Sequence, residues 1–253
     1  WKDKTDGRTD SEERRKGLMN MRSVLDISAY LVVGPENTKG RPVRDIVKAA
    51  LDGGFTCVQL RSKVASAREM ISLCKETAQV IAESGKSDSV VLLVDDRLDV
   101  VLAAREAGIK VDGIHVGQSD IPVEVCRKYL GKDSVVGLSA RTEELLDYVA
   151  HYDTRYIDYF GAGPLHETPS KKDCGRLPDG TVVTRSLEEL KTLHEISPVP
   201  VVVGGGVKAR DLKALKATGV DGFFVISAVA GATDPLAAAR GMTGLWKGRK
   251  SAD

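Results

Sequence analysis

Residues 106–116 read EAGIKVDGIHV: a helical pattern closes on Gly108, and a short apolar run follows almost at once. The same join recurs as LDGGFTCVQL at 51–60 and as ATGVDGFFV at 217–225. Glycine suits the residue just past a helix, where the backbone needs a positive φ. An apolar run without polar alternation is what a parallel strand requires, because helices cover both of its faces. Working outward from these joins gives the strand candidates AYLVV (29–33), TCVQL (56–60), VVLLV (90–94), GIHV (113–116), VVGLS (135–139), YIDYF (156–160), VPVVV (199–203) and GFFVI (222–226). Several start about 22 residues apart, room for a strand, an amphipathic helix and two short loops. Residues 66–84 open with the capping box Ser66-x-x-Glu69, and Met70, Leu73, Cys74, Thr77 and Ile81 follow at helical steps. Ser186-x-x-Glu189 repeats the capping signature, and Asp234 precedes Pro235 as an N-cap before a first-turn proline. Eight alternating units predict a closed (β/α)8 TIM barrel, with an open doubly wound sheet as the alternative.

The composition agrees with one soluble domain. The chain has 253 residues, 37 basic against 36 acidic, and a net charge of +1. That balance excludes a sequence-independent nucleic-acid binder. No apolar stretch approaches the ~18 residues of a membrane span, and no secretory signal is visible. Cys57, Cys74, Cys126 and Cys174 form no C-x-x-C pair and read as free thiols of a cytoplasmic protein. Residues 1–22 are dense in charge without apolar period and predict a disordered tail; Met19 and Met21 are candidate starting residues. The barrel is expected over 23–246, with 247–253 as a frayed end. A homo-oligomer is possible.

In such a barrel the active site lies in the loops after the strands. Arg61 and Lys63 follow the second strand two residues apart, so they point the same way and suit an anion clamp, or are two solvated charges. Asp95-Asp96-Arg97-Leu98-Asp99 follows the third. D-D-x-x-D resembles the metal–pyrophosphate motif of prenyl-transfer enzymes, which belongs to an all-helical fold, yet carboxylates that hold Mg²⁺ against pyrophosphate suit either setting. Asp99 is expected to cap the next helix. After the fourth strand Asp120 is open to two readings, a metal ligand with Asp96 or the N-cap of a helix over 121–131. His115 reads as a packed structural residue, His166 as an ambiguous loop residue, and His151 and His194 as helical. A connection about twice the usual length follows the sixth strand and carries Thr168, Ser170 and Lys171, a plausible phosphate contact set. Gly204-Gly205-Gly206 and Ile226-Ser227 follow the last two strands, where such barrels often bind phosphate. Two anion sites thus point to two phosphorylated substrates, one a diphosphate.

In this order QLRSK (59–63), VDDR (94–97), DGIHVGQSD (112–120), GLSART (137–142), TPSKKD (168–173), VGGGV (203–207) and VISAV (225–229) resemble the thiamine-phosphate synthase family, over roughly residues 28–240. The resemblance implies a barrel that joins hydroxymethylpyrimidine diphosphate to hydroxyethylthiazole phosphate with Mg²⁺, releasing pyrophosphate. It implies a pyrimidine pocket with Gln59 and Gln118, diphosphate contacts from Arg61, Lys63, Ser139 and Lys171, and Mg²⁺ on Asp96 and Asp120. Thr168, Ser170, Gly206, Ile226 and Ser227 would meet the thiazole phosphate. Asp95, grouped with the substrate-binding residues, stands where the family usually has Asn. A carboxylate there repels a diphosphate unless it is protonated, paired or metal-bound. Arg141 stands where many members have His. The alternatives are a related barrel that aromatises the thiazole phosphate and a non-catalytic phosphate-binding barrel.

Overall fold

The computed structural model describes residues 20–168, 175–177 and 179–248. Eight strands run in chain order: β1 (Ala29–Val33), β2 (Cys57–Leu60), β3 (Val91–Asp95), β4 (Gly113–Val116), β5 (Val135–Ser139), β6 (Tyr159–Ala162), β7 (Val201–Val203) and β8 (Gly222–Val225). Each pairs in parallel with the next, and β8 pairs with β1 through Ala29↔Phe223, so the sheet closes. The open-sheet alternative is thereby excluded. The helices are α1 (Val43–Asp52), α2 (Ala67–Glu83), α3 (Leu98–Glu106), α4 (Val123–Leu130), α5 (Leu145–His151), α6 (Leu187–Ile196), α7 (Leu212–Ala217), α8 (Ser227–Ala230) and α9 (Pro235–Trp246). Among the described residues no helix is long and apolar enough to cross a membrane.

The local signals act as their chemistry predicts. Ser66 accepts from the Glu69 N–H while Glu69 reaches back to the Ser66 N–H, so the box is complete. Asp234 caps α9 through the Ala237 N–H. Ser186 accepts from the Glu189 N–H, but Glu189 turns to Arg185 at 2.9 Å. Asp99 does not cap α3: it lies inside the first turn and accepts two bonds from Arg97. β6 begins three residues later than expected, because Asp153 holds Thr154–Tyr156 in a 3-10 turn through the Arg155 N–H. β7 begins after Pro200, whose nitrogen has no hydrogen to donate to the ladder.

Alternate strand residues divide two cores. Tyr30, Val32, Cys57, Val91, Leu93, Val135, Tyr159 and Val202 fill the barrel. Leu31, Val33, Val58, Leu60, Leu92 and Val94 face outward onto the helices. Met21 and Arg22, expected in the tail, belong to the barrel: Met21 joins the inner core, and Arg22 pairs with Asp158. Both are fixed because the open lower end of the barrel offers apolar and anionic surface to cover. Residues 1–19 lie outside the described residues, as do 249–253 and Cys174. Cys57, Cys74 and Cys126 are free and buried.

The repeated join has a structural purpose. The residue just before each even strand accepts a hydrogen bond from a backbone N–H at the start of the preceding odd strand. Thr56 takes the Ala29 N–H at 3.3 Å, Asp112 that of Leu92 at 2.7 Å, Asp158 that of Val136 at 2.8 Å and Asp221 that of Val201 at 2.8 Å. Without these acceptors the N–H groups would be desolvated and unpaired. Asp112 is also paired with Lys110. Replacing it with Ala is expected to cost about 3 kcal/mol, since a charge-assisted acceptor leaves a buried donor. The melting temperature should fall by roughly 6–12 °C. A shift under about 2 °C in a thermal melt would show the acceptor to be dispensable.

Candidate active site

The strand ends converge on two neighbouring cavities. The inner one, about 40 Å³, is walled by Tyr30, Gln59, Arg61, Asp95, His115 and Ser139. The outer one, about 750 Å³, is walled by His166, Thr168, Gly205, Gly206, Lys208 and Ser227 among others. Phe224 and Ile226 line both, so this apolar pair lies between them.

At the inner site, charges come from β2, β3 and β4. Asp95 closes β3, and the next residue, Asp96, takes a left-handed φ of 59°. Asp is one of the few non-glycine residues that tolerates this. Its N–H bonds the His115 carbonyl at 2.8 Å, which anchors the turn to β4. Asp95 Oδ2 lies 3.1 Å from Arg61 Nε and 3.8 Å from Lys63 Nζ, and Lys63 bonds Asp96 directly. Arg61 and Asp95 are nearly buried, with side chains 12% and 8% exposed. Among the described residues Arg61 Nε has no aligned hydrogen bond, so its contact with Asp95 is an ion pair without hydrogen-bond geometry.

Asp120 accepts from the Gly117 N–H at 2.8 Å and meets Asp96. It does not cap α4, whose N-cap is Pro122. Burial works against charge at both carboxyls. At Asp96, hydrogen bonds from Lys63 and Asp120 and the Lys63 charge outweigh it, so its pKa lies below the ordinary value. At Asp120, burial and the contact with Asp96 add, and its pKa is raised. Burial also opposes the Lys63 charge, but Asp96 and Asp95 overcome it and raise the ammonium's pKa. Among the described residues no three His, Cys, Asp or Glu side chains form a metal cage. Asp96 and Asp120 are a two-carboxylate set instead.

Ser139 closes β5, with Oγ 3.0 Å from His115 Nε2. Gln118 donates to the Ser139 carbonyl at 2.6 Å and lies 3.0 Å from Tyr148 Oη, rather than lining the inner cavity. Arg141 lies outside that cavity, 3.4 Å from Glu143. At the outer site, Gly205 and Gly206 have φ of 78° and 72°. The chain after β6 runs against them: Leu165 and His166 donate to the carbonyls of Gly204 and Gly205, each at 2.9 Å. A Cβ on Gly206 would lie 2.8 Å from His166, so the close approach needs glycine. His166 also pairs with Asp211 at 3.0 Å. Thr168 and Ser227 are on this cavity. Ser170 and Lys171 lie outside the described residues.

The family model for thiamine monophosphate synthase matches residues 29–229. The chain belongs to the thiamine-phosphate synthase family. It is 38% identical to a thiamine-phosphate synthase of Corynebacterium efficiens over 91% of this chain and 100% of that protein. It is 37% identical to one from Syntrophomonas wolfei, over 88% and 97%. A solved thiamine phosphate pyrophosphorylase from Pyrococcus furiosus superimposes with a TM-score of 0.71 at 31% identity, over 90% and 98% of the two chains. A 3-hexulose-6-phosphate synthase shares the fold alone, at TM-score 0.57 and 16% identity. Every motif that carried the family resemblance falls within the matched span.

Tyr30 and Tyr159 are inner residues that strand-end reading passed over. His115 is buried, as expected, but it bonds Ser139 and lines the cavity. Strand parity held the missing signal: on β4, Ile114 and Val116 face the helices, so His115 turns into the barrel.

Proposed function

We propose that the chain transfers the pyrimidine-methyl group of hydroxymethylpyrimidine diphosphate to the ring nitrogen of hydroxyethylthiazole phosphate. The products are thiamine phosphate and pyrophosphate. The observation that carries this reading is the nearly buried Arg61 guanidinium, held by Asp95 beside Lys63 and Ser139, one apolar pair away from a glycine-built pocket. The inner cluster suits a diphosphate and the outer loop suits a monoester phosphate. Family membership gives the same pair of substrates.

Arg61, Lys63 and the Ser139 hydroxyl would hold the diphosphate, with Lys171 as a further cation. Gln59 and Gln118 would serve the pyrimidine end, and Asp95 would fix Arg61. Thr168, Ser170, Gly206, Ile226 and Ser227 would take the thiazole phosphate. Asp96 and Asp120 would hold Mg²⁺, an ion that commonly uses one or two carboxylates together with substrate phosphates. When bound it supplies positive charge to the diphosphate oxygens. The C–O bond breaks with its electron pair leaving on pyrophosphate, and the thiazole nitrogen closes the new C–N bond. That nitrogen carries no proton, so no general base is needed. The cations face charge that grows as the bond breaks, and so they favour the transition state.

Incubation with both phosphorylated substrates and Mg²⁺, followed by chromatography for thiamine phosphate, tests the reading; absence of product refutes it. Excess chelator should abolish turnover, and retained turnover would remove the metal. Protons compete with Mg²⁺ at Asp120, whose pKa is raised. As the pH falls, Asp120 gains its proton before Asp96, and the Mg²⁺ concentration for half-maximal rate should rise. A Mg²⁺ requirement that stays flat towards acid pH would exclude Asp120 as a ligand.

A further inference from the structure

A chain of hydrogen bonds crosses the barrel interior from β2 to β5. Gln59 Nε2 donates to Tyr30 Oη at 2.6 Å. The Tyr30 and Tyr159 hydroxyls are 2.9 Å apart, and Tyr159 Oη is 2.9 Å from His115 Nδ1. His115 Nε2 then reaches Ser139 Oγ at 3.0 Å. The sequence makes room for these rings. A Cβ on Gly137 would come within 2.2 Å of the Tyr159 ring, and one on Gly161 within 3.1 Å of His115 Cε1. His115 and Tyr159 stack with centroids 5.5 Å apart. Burial, reinforced by nearby Tyr159 or Cys57, pushes the Tyr30 and Tyr159 phenols well above their ordinary values, so both keep their protons.

The two ends of the chain set its direction. At one end an amide nitrogen only donates, so Tyr30 Oη accepts there. The proton of Tyr30 then has two destinations, the Tyr159 oxygen and the Cys57 thiol. Sulfur is the weaker acceptor. At the other end an anion only accepts, so a serine that faces one must direct its proton outward and take a bond on its oxygen. Both ends favour Tyr159 donating to Nδ1 and the imidazole proton sitting on Nε2.

We infer that His115 and Tyr159 are positioning residues: Tyr159 holds His115 as the Nε2–H tautomer, and the bond from His115 turns the Ser139 proton towards the substrate's anion. This inference rests on the diphosphate site assigned above.

The tautomer is read directly from ¹⁵N–¹H correlation spectra of the ligand-free wild-type protein. The chain has four histidines, and the His115 signals are those lost in His115→Gln. Nδ1 should show the shift of an unprotonated nitrogen and Nε2 that of a protonated one. In Tyr159→Phe the bias should disappear. kcat should fall about tenfold, while KM for the diphosphate stays within about twofold. A wild-type His115 with its proton on Nδ1, as a turned Gln59 amide would demand, or on both nitrogens, overturns the relay. So does an unchanged tautomer in Tyr159→Phe. The wild-type spectrum decides even if that variant does not fold. An Nε2–H tautomer in a protein that forms no thiamine phosphate would support the relay while refuting the activity.

Discussion

Arg61→Met should lower kcat/KM by about a thousandfold, the largest loss expected of a single change at this site. Methionine keeps most of the side-chain volume and removes the charge. The guanidinium is nearly buried and held by Asp95 at 3.1 Å, so it is preorganised for an incoming anion. A preorganised cation of this kind acts most strongly as charge moves onto the leaving group, and water replaces it poorly. The variant should also be less stable by about 3 kcal/mol, because the buried Asp95 carboxylate loses its Arg61 ion pair while Lys63 stays 3.8 Å away. The double variant Arg61→Met/Asp95→Asn separates the two effects. It should recover most of the melting temperature and remain as inactive as the single variant. Activity within tenfold of wild type in either protein would remove Arg61 from the diphosphate site. Asp95→Asn alone should fold normally and bind the diphosphate more tightly, since Arg61 is no longer partly neutralised.

The second large effect is expected from Asp96→Asn. Asparagine tolerates the left-handed backbone at this position, so the turn should survive and the charge alone is tested. Loss of the carboxylate removes the partner of Lys63 and half of the proposed Mg²⁺ set. kcat should fall by about a hundredfold or more, with a raised Mg²⁺ requirement. The same variant has a stability signature. The folded-state pKa of Asp96 is depressed, so its contribution is present above the unfolded value, about 3.9, and is lost as pH falls through the lower native value. Asp96→Asn should therefore narrow the stability gap to wild type below about pH 4. A gap of constant size from neutral to acid pH would show that Lys63 gives Asp96 no net stabilisation.

The fold was largely legible in the sequence because parallel strands leave a local signature. Both faces are buried, so AYLVV, GIHV and VVGLS stand out as unalternated runs, and their bounds match β1, β4 and β5. The glycine join before the strands was visible too, and its Thr or Asp proved to be the acceptor that ties each even strand to its predecessor. Where a local side-chain bond competed, as Asp153 did before β6, the pattern misplaced the strand start. Asp99 was expected to cap the helix, but the helix starts before it at Leu98, and its carboxylate pairs with Arg97 two residues away.

The sequence by itself determined the barrel, the family and the chemical types at the strand ends, since each depends on residues that are neighbours along the chain. Only the tertiary structure decided how those groups meet. It paired Asp95 with Arg61 and brought Asp96 against Asp120. Closing the sheet also turned Tyr30, His115 and Tyr159 inward, where side chains far apart in sequence come within hydrogen-bonding distance. Strand parity tells which side a residue faces, but barrel closure and register set what it faces.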